Sequence, residues 1–542
     1  MDRKTPELRP AINEYFKDPS PSSNLFDNIS SHATAESKRE EPAVCRIFQQ
    51  IETKKTDIFD IIKPPENNHN NSPAFDVQEP TFLNTGNDNV DLMDIFNHEY
   101  ELSSIPAEDE RRRFAWIPSV KTKNTLEKAS QMNHTLPKDM LTMPGVENVN
   151  FTTKLYENLV SYLGEAEAAP FKSKNIEKVT QDEQGLKLLI EDNNFSEALN
   201  LTTRLLGMYG QGPGQMGYPS KHTKSSLQLW FTRFALLVKI CAWKIISKEA
   251  LAWDDLDRPD LYMQWYKDLY GNKYGTLVPF SFRLILAELP QYVISSTNVY
   301  NKLFEILVGV KKIISNLDNG LTEDGRNVEL TIQDRNTSKL LWYSREAKVI
   351  HSIINCAVNQ KDFKLAIKLL KDLIETPRLK YTTEHSRSLL SAMGRICLQV
   401  GDLKAHGYFL KSSRLKPQLQ GTMVENKADY RELIDAALLA IAQNNYKEAY
   451  KHFENAYLME SNKVMVALNN MATCLFYEGQ LNNAITLLED AIQRFPDLAL
   501  NESLLSNICC FYQFQNSASN KQRLLKYHII SKYKNSVTDV IN

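Results

Sequence analysis

Glycines 212, 214 and 217, within the stretch Gly210-Gln-Gly-Pro-Gly-Gln-Met-Gly217, satisfy the spacing G-x-G-x-x-G. The chemistry of that spacing is phosphate binding: between a strand and a helix, the second glycine lets backbone approach a pyrophosphate resting on the helix N-terminus. Gly212 and Gly217 also have P-loop spacing, but Tyr218 and Pro219 stand where Lys and Ser/Thr are required. The lead-in decides between the readings. Residues 195–209, "FSEALNLTTRLLGMY", carry a helical apolar period, and the exit runs through Pro219 and a polar "SKHTKSS" at 220–226. With no strand ahead of them, the glycines read as an inter-helix loop. No nucleotide and no other cofactor is expected.

Other chemistries fare no better. The chain contains no H-E-x-x-H, G-x-S-x-G, EF-hand loop or Cys/His metal spacing. Its seven cysteines form no C-x-x-C, and four of them fall in apolar helical patterns, as small hydrophobes in a reducing compartment do. His351 and His452 read as surface or satisfied helix residues, and the pairs Glu323-Asp324 and Asp254-Asp255 as solvated loop caps. No acid, base and nucleophile come together. The expectation is a protein that is not an enzyme, with no catalytic, cofactor-binding or metal-binding residue.

The elements around these residues divide the 542-residue chain in two by charge. Residues 1–110 hold 10 Lys+Arg against 22 Asp+Glu, a net −12; the remainder holds 54 against 44, a net +10. That first stretch has ten of the 22 prolines and one glycine, too little apolar surface to offset the entropy of ordering, so it reads as a disordered acidic tail. Three islands interrupt it: Asn24-Leu-Phe-Asp-Asn-Ile, Asp57-Ile-Phe-Asp-Ile-Ile and Asp91-Leu-Met-Asp-Ile-Phe. Each is a linear-motif candidate or a sticky spot in a disordered tail. An overall charge of −2 argues for neither nucleic acid nor a membrane surface, and no apolar run follows Met1-Asp-Arg-Lys-Thr-Pro. Lys239 and Lys244 break the most apolar helix, Phe234 to Ile246, so no span is expected and the location should be cytoplasmic.

Residues 111–150 read as an extended docking segment, with Trp116 filling a hydrophobic notch and Arg111, Arg112 and Arg113 facing acid or solvent. From 151 onward the periodicity is helical. Leu227, Trp230, Phe231, Phe234, Leu237, Val238 and Cys241 step by three and four, with Ser225 or Ser226 as the N-cap. The fold class is all-α.

Self-similarity is the strongest signal. Leu468, Met471, Ala472 and Leu475 make one helix, Gly479 ends it, and Leu481, Ala484, Leu488 and Ala491 make a second before Pro496. The same grammar recurs about 34 residues earlier, with Leu433 and Ala437, then Asn444-Asn445-Tyr446, Ala449, Phe453 and Ala456. Small residues let helices cross closely; Gly479 and Asn444 supply the left-handed residue that ends a first helix. The pattern resembles the tetratricopeptide repeat. Two further units carry Ile353, Ala357 and Ala366, then Met393, Gly394, Cys397 and Leu410. The second departs at His406, where Ala belongs, so its second helix should be splayed or shifted. The expected architecture is an α-solenoid: irregular hairpins over 151–341, repeats over 342–515, and a C-terminal helix or tail over 516–542. Arg395, Asn469, Thr473 and Tyr477 are expected on exposed first-helix positions and, with Trp116, are the partner-binding candidates. The alternative is a tetratricopeptide-repeat chaperone or other protein-interaction adaptor unrelated to trafficking; a chaperone clamp needs Lys and Asn where Ile434 and Leu438 stand, which argues against the chaperone form.

Longer motifs add a resemblance. "AWIPS" at 115–119, "LTMPG" at 141–145, "HTKSSLQLWFTRFALLVK" at 222–239, "DLDRPDLYMQWY" at 255–266, "VPFSFRLILAEL" at 278–289 and "NLDNGLTEDG" at 316–325 are similar to the subunit 12 family of the trafficking protein particle (TRAPP) complex, collinearly over about 111–515. The resemblance implies a non-catalytic scaffold of the type III tethering and Rab guanine-nucleotide-exchange complex, acting in endoplasmic reticulum-to-Golgi transport and autophagy. It implies other TRAPP subunits as partners, especially the large subunits 11 and 8, and a Rab GTPase only indirectly. It also implies a peripheral location at the endoplasmic reticulum–Golgi intermediate compartment and Golgi, without membrane insertion.

Overall fold

A computed structural model describes residues 107–131, 138–152, 179–293 save 193, 300–375, 383–415 save 403, 429–459, 464–495 and 502–515, plus a few residues at 156–165 and 521–525. The acidic tail, its three islands and most of 516–542 lie outside the described residues. The described residues form an all-α fold without strands; only two isolated bridges, Val146 to Pro213 and Tyr262 to Thr276, depart from helix and loop.

The first half is irregular. Helices α1 (Ala107–Arg113) and α2 (Val120–Gln131) occupy part of the segment expected to be extended; among its described residues 114–119 and 141–150 are non-helical. Then come α3 (Glu183–Glu191), α4 (Phe195–Met208), α5 (Lys224–Lys239), α6 (Trp243–Ala250), α7 (Phe280–Glu288) and α8 (Asn301–Asp318). Three 3-10 turns between 251 and 265 fold the Pro259 connection. The α5 N-cap is Thr223, not Ser225 or Ser226. Its hydroxyl accepts from Ser226 N, and Ser226 returns the bond to Thr223 N, closing a capping box that neither neighbouring serine can form. Cys241 lies beyond the end of α5 and is exposed; its φ of 55° turns the chain into α6. Trp230, Phe234, Trp253 and Phe282 meet edge-on, with centroids 5.2–5.4 Å apart for three of their pairs, and centre this core.

The second half is a stack of hairpins: α9 (Ile332–Asn359) with α10 (Phe363–Glu375), α11 (Thr383–Val400) with α12 (Lys404–Arg414), α13 (Tyr430–Ala442) with α14 (Tyr446–Met459), and α15 (Val464–Tyr477) with α16 (Leu481–Arg494). Helix α17 (Glu502–Gln513) covers the last of them. All four first helices end alike. Lys361, Gly401, Asn444 and Gly479 take φ of 58° to 80°. The next amide then reaches back to a carbonyl five residues earlier: Asp362 to Ala357, Asp402 to Cys397, Asn445 to Ala440 and Gln480 to Leu475, at 2.7–2.9 Å. This is the Schellman closure, and it satisfies carbonyls that the helix end would orphan. Only two of the four positions are glycine, because the motif sets the backbone conformation and Asn or Lys can bear it.

Ala437, Ala449, Ala456, Ala472 and Ala484 are fully buried at the crossings. The departure at His406 resolves as a shift of one residue. Ala405 takes the buried position, His406 faces solvent, and Phe409 packs into the space that Gly394 leaves on α11. Cys356, Cys397 and Cys474 are buried as small hydrophobes.

Candidate functional site

The glycine loop is engaged by the chain itself. Gly210, Gly214 and Gly217 have φ of 71°, 77° and 85°, the left-handed region, and the Gly210 amide is already spent on Gly207 O at 3.0 Å. What meets them is the segment 141–146. Gly217 N donates to Met143 O at 3.1 Å, and a Cβ on Gly145 would stand 2.2 Å from Met216 N. The "LTMPG" and "GQGPGQMG" motifs are two halves of one clasp.

Beneath the clasp lies a buried polar cluster drawn from all four neighbouring motifs. Trp230 Nε1 donates to Gln211 Oε1 at 2.6 Å, which sets the amide so that Gln211 Nε2 faces Lys221 O (3.2 Å) and His222 Nδ1 (3.3 Å). His222 Nε2 then donates to Thr142 O at 3.1 Å and stands 3.4 Å from Asp260 Oδ2. Asp260 accepts from Thr142 N (2.6 Å) and Thr142 Oγ1 (3.1 Å). Tyr266 Oη accepts from His222 N, and burial pushes the Tyr266 phenol well up. Thr142, Gln211 and His222 have no exposed surface, and Asp260 has 2%. A His–Asp pair of this kind can orient a nucleophile; here the His222 ring is spent on Gln211 Nε2 and Thr142 O, and the Asp260 carboxylate on Thr142 N and Oγ1. Its effect is to fix segment 141–146 on the loop.

A second knot lies deeper. Arg233 makes a two-pronged ion pair with Glu249, Nε to Oε2 and Nη2 to Oε1, both 2.7 Å, with both side chains wholly buried. Its Nη1 serves Thr202 and Thr203 hydroxyls on α4 at 3.1 and 2.9 Å, and Glu249 accepts from Glu147 N. One ion pair thus joins α4, α5, α6 and the clasp segment.

A third latch holds α1 to the repeats. Arg111 pairs with Glu323, which also receives Ser338 Oγ; Arg112 reaches Asp334, and Arg345 Nη2 donates to Arg113 O at 2.9 Å. Glu323 is buried at 1% exposure and not a solvated cap, because Arg111 supplies its counter-charge and Ser338 a hydrogen bond. Arg345, stacked on Trp342 and Phe280, is held down to about 9 by burial and then by Arg113. Trp116 lies under the Arg283 guanidinium at 4.3 Å and 6.5 Å from the Trp342 ring, against Gly309. Its notch is made by the chain's own α7, α8 and α9.

The remaining candidates sit on the first-helix face. Arg395 is not an exposed residue: its side chain is 18% exposed and pairs with Asp435 of α13, 3.3 Å away. Asp435 also receives Ser391 Oγ at 2.8 Å; burial pushes its carboxyl up, against the pull of Arg395. Asn469 is half-buried and accepts from Asn507 Nδ2 at 2.9 Å, and Thr473 donates to the Asn469 carbonyl. Tyr477 alone of these is open, 62% exposed and stacked on Tyr446 at 5.0 Å and 7°. Three of the four thus tie neighbouring helices or their own helix together. Sequence reasoning missed Gln211, Arg233, Glu249 and Asp260. The one signal for them was Arg233, a charge set between Phe231 and Phe234 on an apolar helix face.

Among the described residues no three metal-ligating side chains come together, and no helix is long and apolar enough to cross a membrane. No family model matches the chain. Two curated relatives do. The mouse (Mus musculus) trafficking protein particle complex subunit 12 is 38% identical over 427 residues, 78% of this chain and 52% of the relative. The human (Homo sapiens) protein of the same name is 36% identical over 427 residues, 78% of this chain and 57% of the relative. This chain belongs to the trafficking protein particle complex subunit 12 family. It spans about half the length of the curated relatives it matches. Within the family frame, the clasp, the Arg233–Glu249 knot and the α1 latch are internal fastenings of the helical stack.

Proposed function

We propose that the chain is a non-catalytic scaffold subunit of a TRAPP complex, working by contact. The observation that supports it is the similarity to subunit 12 relatives over 427 residues, in a stack where the buried Arg233–Glu249 and His222–Asp260 pairs serve as internal fastenings. We place it in the type III assembly, which tethers vesicles and exchanges guanine nucleotide on a Rab GTPase between endoplasmic reticulum and Golgi and in autophagy. In this reading it touches the large subunits 11 and 8, reaches the Rab only through the complex, and sits peripherally at the intermediate compartment and Golgi. The irregular hairpins before about residue 341 and the repeats after it serve as two docking regions, with Tyr477 on the second. Affinity capture of the full chain from cell extract should bring down other TRAPP subunits in stoichiometric amounts; recovery only as a free monomer would overturn the proposal. The chaperone-adaptor reading has no support in the geometry, since Ile434 is buried and Leu438 half-buried where a clamp needs polar side chains.

A further inference from the structure

The outer face of α10 carries a stripe of cations. Lys361 in the turn, then Lys364, Lys368 and Lys371, stand three, four and three residues apart and are all exposed, while Ala366, Leu370 and Leu373 face the core. That spacing places the lysines on one helix face. None of the four makes an ion pair among the described residues; Asp372, four residues beyond Lys368, and Glu375, four beyond Lys371, are the acids in line with them. The next second helices also carry lysines: Lys404, paired with Asp402, opens α12, and Lys447 and Lys451 are exposed on α14. Between the α10 lysines lie Leu365, Ile367 and Leu369, and Ile374 follows them, each half-buried.

The same chain holds a complement. Asp57-Ile-Phe-Asp-Ile-Ile and Asp91-Leu-Met-Asp-Ile-Phe both read Asp-apolar-apolar-Asp-apolar-apolar, within an N-terminal stretch of net charge −12. Each island offers two carboxylates opposite in charge to the stripe, and apolar pairs of the same character as the aliphatic side chains beside it. The reach also fits. Arg112 is held at Asp334, near the start of α9, and α10 packs on the far end of that helix. Asp334 to Asn355 is roughly 32 Å along the axis. The ten residues from Asn97 to Pro106 span at most roughly 36 Å, so the third island can only just reach, while the second has ample chain.

We propose that the α10 lysine stripe is the docking site of the chain's own Asp57–Ile62 and Asp91–Phe96 segments. The acidic N-terminal stretch folds back on the outer side of the repeats, so that a partner using this face must displace it. The contact is charge-driven and weakens with salt.

Trypsin supplies the test, because Lys54, Lys55 and Lys63 flank the second island. In the full chain at low salt, the variant Lys364→Glu/Lys368→Glu/Lys371→Glu should be cut at these bonds at least fivefold faster than wild type, with an unchanged melting temperature. Carbodiimide coupling of the wild type should join Asp57, Asp60, Asp91 or Asp94 to the three lysines within the monomer band, and 0.5 M salt should abolish it. Equal cleavage rates for wild type and variant overturn the proposal. So do cross-links confined to a dimer band, which assign the stripe to a second copy's tail. Wild-type sedimentation with phosphatidylserine vesicles that the variant loses, with unchanged cleavage, assigns it to lipid and overturns it equally.

Discussion

Gly394 on α11 and Phe409 on α12 are in direct contact: a Cβ on Gly394 would lie 2.3 Å from Phe409 Cε1. This contact is how the second repeat absorbs His406. The helix turns by one residue, Ala405 takes the crossing, and the phenyl ring needs the missing side chain opposite. Gly394→Ala should therefore destabilise the chain by about 1–3 kcal/mol through overpacking. Adding Phe409→Leu should recover part of that loss, since the two residues share one space. Urea unfolding of the four members of the cycle reads the coupling; a strictly additive result would show that the glycine is not there for the ring.

The buried Arg233–Glu249 pair gives a second expectation. Arg233→Met strands a carboxylate with 0% exposure and should cost about 3–5 kcal/mol. Arg233→Met/Glu249→Leu should lose less than the sum of the single changes, because no unpaired charge remains. Thermal melts of the three variants measure this, and a double variant as unstable as the sum would contradict it.

Gly145 and Gly214 separate clasp from phosphate loop. Gly145→Ala drives a Cβ onto the Met216 backbone, whereas at Gly214, with φ 77° and open space, alanine meets only the left-handed penalty of about 1–2 kcal/mol. The melting temperature should fall further for Gly145→Ala than for Gly214→Ala. Magnesium ATP or GTP should shift neither variant nor the wild type; a nucleotide-induced shift abolished by Gly214→Ala would restore the phosphate reading.

His351 makes stability depend on acid. Among the described residues its ring nitrogens have no hydrogen-bond partner, and burial, then the charge of His385, lowers its pKa to about 4. The unfolded chain, at about 6.5, binds the proton more readily. Between those values the unfolded state gains protons first, so stability falls as pH drops from about 6.5 toward 4. His351→Leu cannot take up a proton and should melt with a smaller pH dependence over that window. Differential scanning fluorimetry at pH 7.5 and 5.0 tests it; equal slopes for variant and wild type would exclude the histidine.

Legibility followed the range of the interaction. The repeats were readable because a helix repeats its environment every three or four residues, and the small residues at Ala449 and Ala484 recur with the hairpin. The left-handed turns at Asn444 and Gly479 were readable for the same reason, while Lys361 was hidden because lysine carries no preference for that conformation. The N-cap of α5 was placed two or three residues late. Thr223, Ser225 and Ser226 all have the chemistry, and only the reciprocal bond between the first and last of them chooses.

By itself, the amino-acid order determined the helical class, the hairpin period, the loop character of the glycines and the charge contrast between tail and body. Each depends on composition or on residues a few places apart. Only the tertiary structure decided that Thr142 closes over His222 and Asp260, 80 and 118 residues away, and that Arg395 faces Asp435 instead of solvent. A buried hydrogen bond joins two points brought together by the packing of everything between them. Neither end repeats, so no local pattern announces the pair.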